Sequence, residues 1–268
     1  MNVFYSIKEM TPIALVCLII GLNIGKITGI AVIEFVLTAA FLAYVCATRQ
    51  WNLLLCGVLF FVLSVGHFTS SVPVLTQIPA LGILTMIIVS FLVILPFKAA
   101  RTWKTWAKVG KINSLTILIM IGVGIISTIA LIIWARWTDN LGIALKMADE
   151  LKPYPKIIVG VLLIPVFAFL NSLAEEVVYR GVLQTALFEG FKKSHLVISL
   201  QATAFAALHF AVGFPNGISG YVMTFIYGIA LGYLRTFTEG FMAPLICHVI
   251  ADLTIFYYMA NLVWKSAV

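Results

Sequence analysis

The residues able to do chemistry gather in three short segments of the C-terminal part of the chain: NSLAEEVVYRG (171–181), QATAFAALHF (201–210) and LICHVIAD (245–252). In the first, Glu176 and Arg180 stand four residues apart with the acid N-terminal, the favourable order for an ion pair on a helix. Glu175 is rotated about 100° from Glu176, so the two carboxylates cannot share a face. Asn171 and Tyr179 lie one turn before and after Glu175. Pairing with Arg180 neutralises Glu176 and leaves Glu175 free to act as a general base. In the second segment Gln201, Phe205 and His209 form one stripe, and in the third His248 and Asp252 are one turn apart. Ionisable groups inside apolar helices are costly, and they mark function more often than structure.

The surrounding sequence sets what must position these groups. The 268-residue chain is 62% hydrophobic and 10% charged, with mean hydropathy +1.11. Soluble domains carry about 25% charge, so the expected fold is an all-α polytopic membrane protein. Runs of about 20 apolar residues fall near 10–25, 28–48, 51–69, 78–97, 113–135, 157–188, 196–212, 221–237 and 241–263. The first run is short and two of the last three are marginal, giving eight or nine transmembrane helices. No small-residue cleavage site follows the first run, which is therefore expected to be retained.

The net charge of +7 does not read as a nucleic-acid footprint, because the cations sit at span ends. Lys98, Arg101, Lys104, Lys108 and Lys111 crowd one connection, expected to be cytoplasmic. Counting spans puts the N-terminus, Lys8, Arg49, Lys192, Lys193 and Arg235 on that side as well. The other side receives Lys26, Arg136, Lys146, Lys152, Lys156 and Lys265, with Asp139, Asp149 and Glu150: ten cations against six. Cations at 101, 104, 108 and 111 recur at helical spacing, with Trp103 and Trp106 on another side, so 98–112 is expected to be an interfacial amphipathic linker helix. It divides N-terminal helices (1–97) from a C-terminal catalytic bundle (113–268).

Depth brings the three segments together. Glu175 and His209 each lie about 13 residues, roughly 20 Å, from the Lys192/Lys193 connection, and His248 and Asp252 lie roughly 10 to 17 Å from their own end. Gly228 and Gly232 form a GxxxG that lets the intervening helix pack closely, and Pro244 suits a helix start. In the N-terminal spans Glu34 and His67 show no obvious partner. The cysteines, Cys17, Cys46, Cys56 and Cys247, lie in apolar runs without CxxC spacing and read as packing residues.

Taken in order, EExxxR (Glu175, Glu176, Arg180), FxxxH (Phe205, His209) and HxxxD (His248, Asp252) resemble the CPBP family, the CAAX-protease and bacteriocin-processing group of intramembrane glutamate proteases. The resemblance covers about 157–260. It implies a metal-independent peptidase, without cofactor, acting on a membrane-associated peptide or protein from a site open to the cytoplasm. It assigns water activation to Glu175 and His209, support to Glu176, Arg180 and Phe205, and oxyanion stabilisation to His248 and Asp252. Members best understood in CAAX processing carry Asn where this chain has Asp252. An ionised Asp only accepts hydrogen bonds, so Asp252 either donates to the oxyanion as a protonated acid or orients His248, the second being the expected role.

Other readings remain. Glu175, His209, His248 and Asp252 are ligand types that zinc accepts, though no HExxH occurs. A proton-coupled carrier would use a Glu/His relay but would show repeated halves. A bacteriocin immunity or scaffold protein would keep the family's shape without cleavage. The compact polytopic chain suggests a bacterial plasma membrane; substrate and oligomeric state are not encoded in any motif.

Overall fold

The computed structural model describes residues 9–69, 79–138, 153–211 and 214–266. Lys8, Asp139, Lys146, Asp149, Glu150 and Lys152, which entered the charge balance above, lie outside the described residues. The described chain is all-helical, and the protein is a polytopic membrane protein. Its principal helices are α1 (Thr11–Thr28), α2 (Ala31–Thr48), α3 (Leu54–Thr69), α4 (Pro79–Ile94), α5 (Ser114–Trp137), α6 (Lys156–Gly190), α7 (Ser194–Ala211), α8 (Gly217–Thr238) and α9 (Met242–Ser266). Six of them are long and apolar enough to cross a bilayer, while α3, α4 and α7 are shorter apolar helices.

Local chemistry sets the ends. Pro12 opens α1 at a position where its missing N–H costs nothing, and Gly29 closes it with φ +72°. The Asn113 side chain caps α5 by accepting from the Thr116 backbone N–H at 2.9 Å. The expected linker helix is shorter than the cation spacing implies. Helical turns are confined to Lys98–Ala100 and Trp103–Trp106. Beyond them the chain pairs with the α8–α9 turn: Lys111 N–H donates to the Thr238 carbonyl at 2.7 Å and Phe241 N–H to the Lys108 carbonyl at 2.8 Å. Gly110 and Gly240 touch at this crossing, where a Cβ on Gly110 would come within 2.7 Å of the Gly240 Cα.

The helices alternate in direction, and contacts between their ends show it. At one face Thr11 bonds Gln50 at 2.9 Å, and Asn52, just before α3, bonds Glu189 at the end of α6 at 2.8 Å. Lys111 meets Glu239 on the same face. At the other face Trp134 donates to Ser219 at 2.8 Å, joining the end of α5 to the start of α8. Glu34, which shows no partner in the sequence, is paired there with Lys26 at 3.2 Å and with His67 at 2.9 Å.

One continuous core joins the two ends of the sequence. It runs from Leu15 and Leu18 on α1 through Leu59 on α3 to Leu183 and Leu187 on α6 and Phe205 on α7. Lipid gives no hydrophobic drive between helices, so close packing of small residues holds them. A Cβ on Gly232 would come 2.9 Å from Ile198, and one on Gly228 would come 3.2 Å from Ala202 and Phe205. That is what seats α8 against α7.

The segment 171–181 sits on an irregular stretch of α6. Ile164–Glu176 is regular α-helix, but Val159–Leu163 and Val177–Leu183 are wide π turns. The second begins immediately after Glu176 and holds Tyr179, Arg180 and Gly181. Such a turn rotates the following side chains relative to a regular helix, and residues 178–183 are all buried. Gly181 has a packing reason as well: a Cβ there would strike the Trp106 indole at 2.9 Å.

Candidate active site

Three helices distant in sequence supply the polar residues. From α6 come Asn171, Ser172, Glu175, Glu176 and Arg180; from α7, Phe205 and His209; from α9, His248 and Asp252. The innermost unit is an ion pair with neither partner exposed, Arg180 Nη1 to Glu176 Oε1 at 2.9 Å. The guanidinium lies over the Phe205 ring, 4.2 Å from its centroid, in a cation–π contact. The Phe of FxxxH thus has a physical role, covering a cation that would otherwise face hydrocarbon.

Glu176 has a second duty. Its Oε1 is also 2.7 Å from Nδ1 of His248. A carboxylate oxygen accepts, so Nδ1–H donates and the other ring nitrogen, Nε2, is left for other partners. Nε2 stands 3.5 Å from Glu175 Oε2 and 3.9 Å from Asp252 Oδ1. The imidazole therefore lies between the two adjacent glutamates, each reached through a different nitrogen. The expectation that Glu175 is left unpaired by Arg180 holds only as far as the arginine is concerned; His248 is its neighbour.

Asp252 is held from α6. Ser172 Oγ donates to its Oδ2 at 2.8 Å and Asn171 Nδ2 at 3.1 Å. Asn171 also reaches Glu175 Oε1 at 3.3 Å, so one amide links the two carboxylates. The sequence places Asn171 and Ser172 on the stripes of Glu175 and Glu176 but gives neither a role. Their signal is the i−4 spacing. Which of them meets Asp252 depends on how α6 and α9 cross. The closest orienting contact to His248 comes from Glu176, with Asp252 at the longer distance.

His209 is set apart from this network. Its Nδ1 lies 3.3 Å from the Phe205 carbonyl, which can only accept, so Nε2 is the nitrogen left free. Phe205 stands edge-on between the two imidazoles, with ring centroids 5.0 Å from His209 and 5.7 Å from His248. His209, His248 and Asp252 all line a cavity of about 370 Å³ between α5, α7, α8 and α9. Its remaining wall is mainly apolar, including Ile126, Leu131, Phe214, Met223 and Ile255. Tyr227 joins that wall and stands perpendicular to the His248 ring at 5.9 Å; no motif points to it. Glu175, only 7% exposed, reaches the cavity wall through His248.

A buried carboxylate–imidazole–carboxylate array beside an apolar cavity, inside a helical membrane bundle, holds residue types that hydrolysis can use. The comparison with family models agrees in kind: the model described as type II CAAX prenyl endopeptidase Rce1-like matches residues 157–254. That segment, which contains every residue of the array, is similar to the CAAX endopeptidases that the model describes. No curated protein and no solved structure matches the chain.

Proposed function

We propose that the protein is an intramembrane glutamic peptidase that hydrolyses a peptide bond in a membrane-associated peptide or protein, from a site open to the cytoplasmic side of a bacterial plasma membrane. The observation that carries this reading is the convergence of Glu175, Glu176, His248 and Asp252 from two separate helices on one buried centre, with His209 of a third helix on the cavity that His248 and Asp252 line. A structural ion pair would need two of these groups; four are assembled, and two of them line a cavity wall together with His209.

The reaction is direct hydrolysis. Glu175, assisted by the free Nε2 of His209, takes a proton from water as the oxygen attacks the scissile carbonyl. With both nitrogens protonated, His248 keeps Nδ1–H on Glu176 and offers Nε2–H to the developing oxyanion. The tetrahedral species collapses, the C–N bond breaks, and the leaving amine takes the proton held by Glu175. Asp252, committed as acceptor to Ser172 and Asn171, contributes a fixed negative charge beside His248. Ser172 does not serve as nucleophile, because it is fully buried and not part of the cavity wall. The apolar wall suits a substrate segment with aliphatic or aromatic side chains beside the scissile bond.

The deciding experiment compares membrane peptides, by mass spectrometry, from cells carrying wild-type protein or Glu175→Gln. Products present with wild type and missing with the variant support the reading; identical peptide sets would sink it. A chelator discriminates the zinc reading, since Glu175, His209, His248 and Asp252 are ligand types zinc accepts. Cleavage should survive strong chelation, and loss restored by added zinc would replace glutamate chemistry with metal chemistry.

A further inference from the structure

The basic linker has a companion feature that proteolysis does not explain. Under it lies an apolar groove of about 720 Å³, larger than the cavity at the histidines and sharing no lining residue with it. Its long walls are α4, through Ile88 and Leu92, and α6, through Phe169 and Leu173; Leu245 of α9 adds to the second wall. The linker closes one end with Trp103, Trp106 and Lys108. From these features we infer that the groove is a binding site for one bilayer phospholipid with an anionic headgroup, its acyl chain between α4 and α6 and its phosphate at Lys104 and Lys108.

Charge and anchoring both favour that occupant. Lys98, Lys104, Lys108 and Lys111 are exposed on the linker; among the described residues only Lys111 is in an ion pair, with Glu239, on which Lys108 acts from farther away. Arg101 is turned onto the Leu95 carbonyl. Lys104 forms no ion pair among the described residues and Lys108 shares Glu239 with Lys111, so positive charge is left in excess at the mouth of a hydrocarbon slot. Basic pockets between transmembrane helices take anionic headgroups, each nearby cation adding about 1 kcal/mol. Lys108 is also fixed in place, because its carbonyl is tied to Phe241 N–H at 2.8 Å. Trp106, 5% exposed, has an indole N–H with no acceptor among the described residues, and the ester oxygens of a lipid are acceptors of that kind. The two tryptophans sit where amphipathic rings are enriched, at the junction of headgroup and chain.

The test is lipid retention, which does not depend on peptidase activity. Full-length protein is transferred from nanodiscs of 1-palmitoyl-2-oleoyl phosphatidylcholine with a minor fraction of the matching phosphatidylglycerol, and bound lipid is counted by native mass spectrometry. Wild type should retain one phosphatidylglycerol in preference to phosphatidylcholine. The Lys104→Gln/Lys108→Gln variant should weaken that retention about 30-fold, from two cations at about 1 kcal/mol each. Leu92→Trp, which fills the groove and leaves the charge alone, should also abolish it, and Lys192→Gln/Lys193→Gln should not. Equal retention of the two lipids, or retention unchanged in both groove variants, would overturn the inference. So would a groove indifferent to headgroup that exchanges its lipid for a farnesylated peptide, since that assigns it to a substrate tail.

Discussion

The N-terminal helices and the C-terminal bundle each bury charge at membrane depth, and they do it differently. In the first, Glu34 is 1% exposed and meets Lys26 and His67, both partly exposed, at 3.2 and 2.9 Å. Gly25 makes room for it, since a Cβ there would come 2.6 Å from the Glu34 Cβ. One acid answered by one permanent cation is a closed arrangement. In the second, three acids (Glu175, Glu176, Asp252) surround one arginine and one imidazole, and two members of the set form part of a cavity wall. The closed cluster looks after its own charge; the open one has acceptor capacity left over for a reacting molecule.

The largest effect should separate them. Glu175→Gln keeps shape and removes the base, so cleavage should fall by about 10²–10⁴-fold with the melting temperature in detergent little changed. His209→Ala should lower turnover on the same scale. Glu34→Gln should leave turnover within about twofold and cost stability instead, on the order of 1 kcal/mol given that Lys26 and His67 are partly solvated. Loss of turnover in a stable Glu34→Gln protein would break the distinction and bring the N-terminal helices into the mechanism.

Next in size is removal of the buried cation. Arg180→Met leaves Glu176 charged, unexposed and answered only by His248. Breaking a buried pair in this way costs about 3–5 kcal/mol, read as a large fall in thermal stability. Glu176→Gln/Arg180→Met, removing both charges, should recover much of that stability but not activity, because His248 Nδ1 loses its carboxylate. Recovered turnover in the double variant would show that Glu176 serves Arg180 alone.

How far the sequence reached follows the same division. The spans were legible because a bilayer leaves few alternatives to apolar helices. EExxxR was legible because Glu176 and Arg180 are near neighbours on one helix. What escaped depended on helix crossings: that Glu176 also holds His248, that Ser172 and Asn171 hold Asp252, and that Glu34 meets His67 across 33 positions. Periodicity specifies which residues share a face and leaves open which faces meet. The linker was overread for a related reason. Its cation spacing fits a helix, but Gly110, with φ +85°, and the backbone bonds to Thr238 and Phe241 hold its second half extended.

A smaller effect probes the positioning of Asp252. Ser172→Ala removes a 2.8 Å bond and leaves Asn171 in place, so Asp252 keeps one of its two donors. A hydrogen bond to a charged group contributes about 1.5–3 kcal/mol, so turnover should drop about tenfold to a hundredfold and not vanish. Asn171→Ala should be the more damaging of the two, because that amide also reaches Glu175. Complete loss in Ser172→Ala with an intact Glu175 would reopen the serine as nucleophile.

The smallest effect lies outside the bilayer, where the linker meets the α8–α9 turn. Lys111 beside Glu239 holds that carboxyl below its ordinary range, first through their hydrogen bond and then through charge. A carboxyl lowered in the folded state adds stability above its unfolded pKa, and that contribution disappears as pH falls through the folded value. Wild type should therefore be slightly more stable than Glu239→Gln at neutral pH, with the difference closing as the solution is acidified past the normal carboxylate range. Both groups are well exposed and screened by salt, so the gap should also narrow at high ionic strength. Melting curves of the two proteins at neutral and acid pH, each at low and high salt, make the comparison. A gap that persists in acid would mean that Glu239 supports the linker through its position at φ 54° in the α8 cap, where a change of side chain alters backbone preference, and not through Lys111.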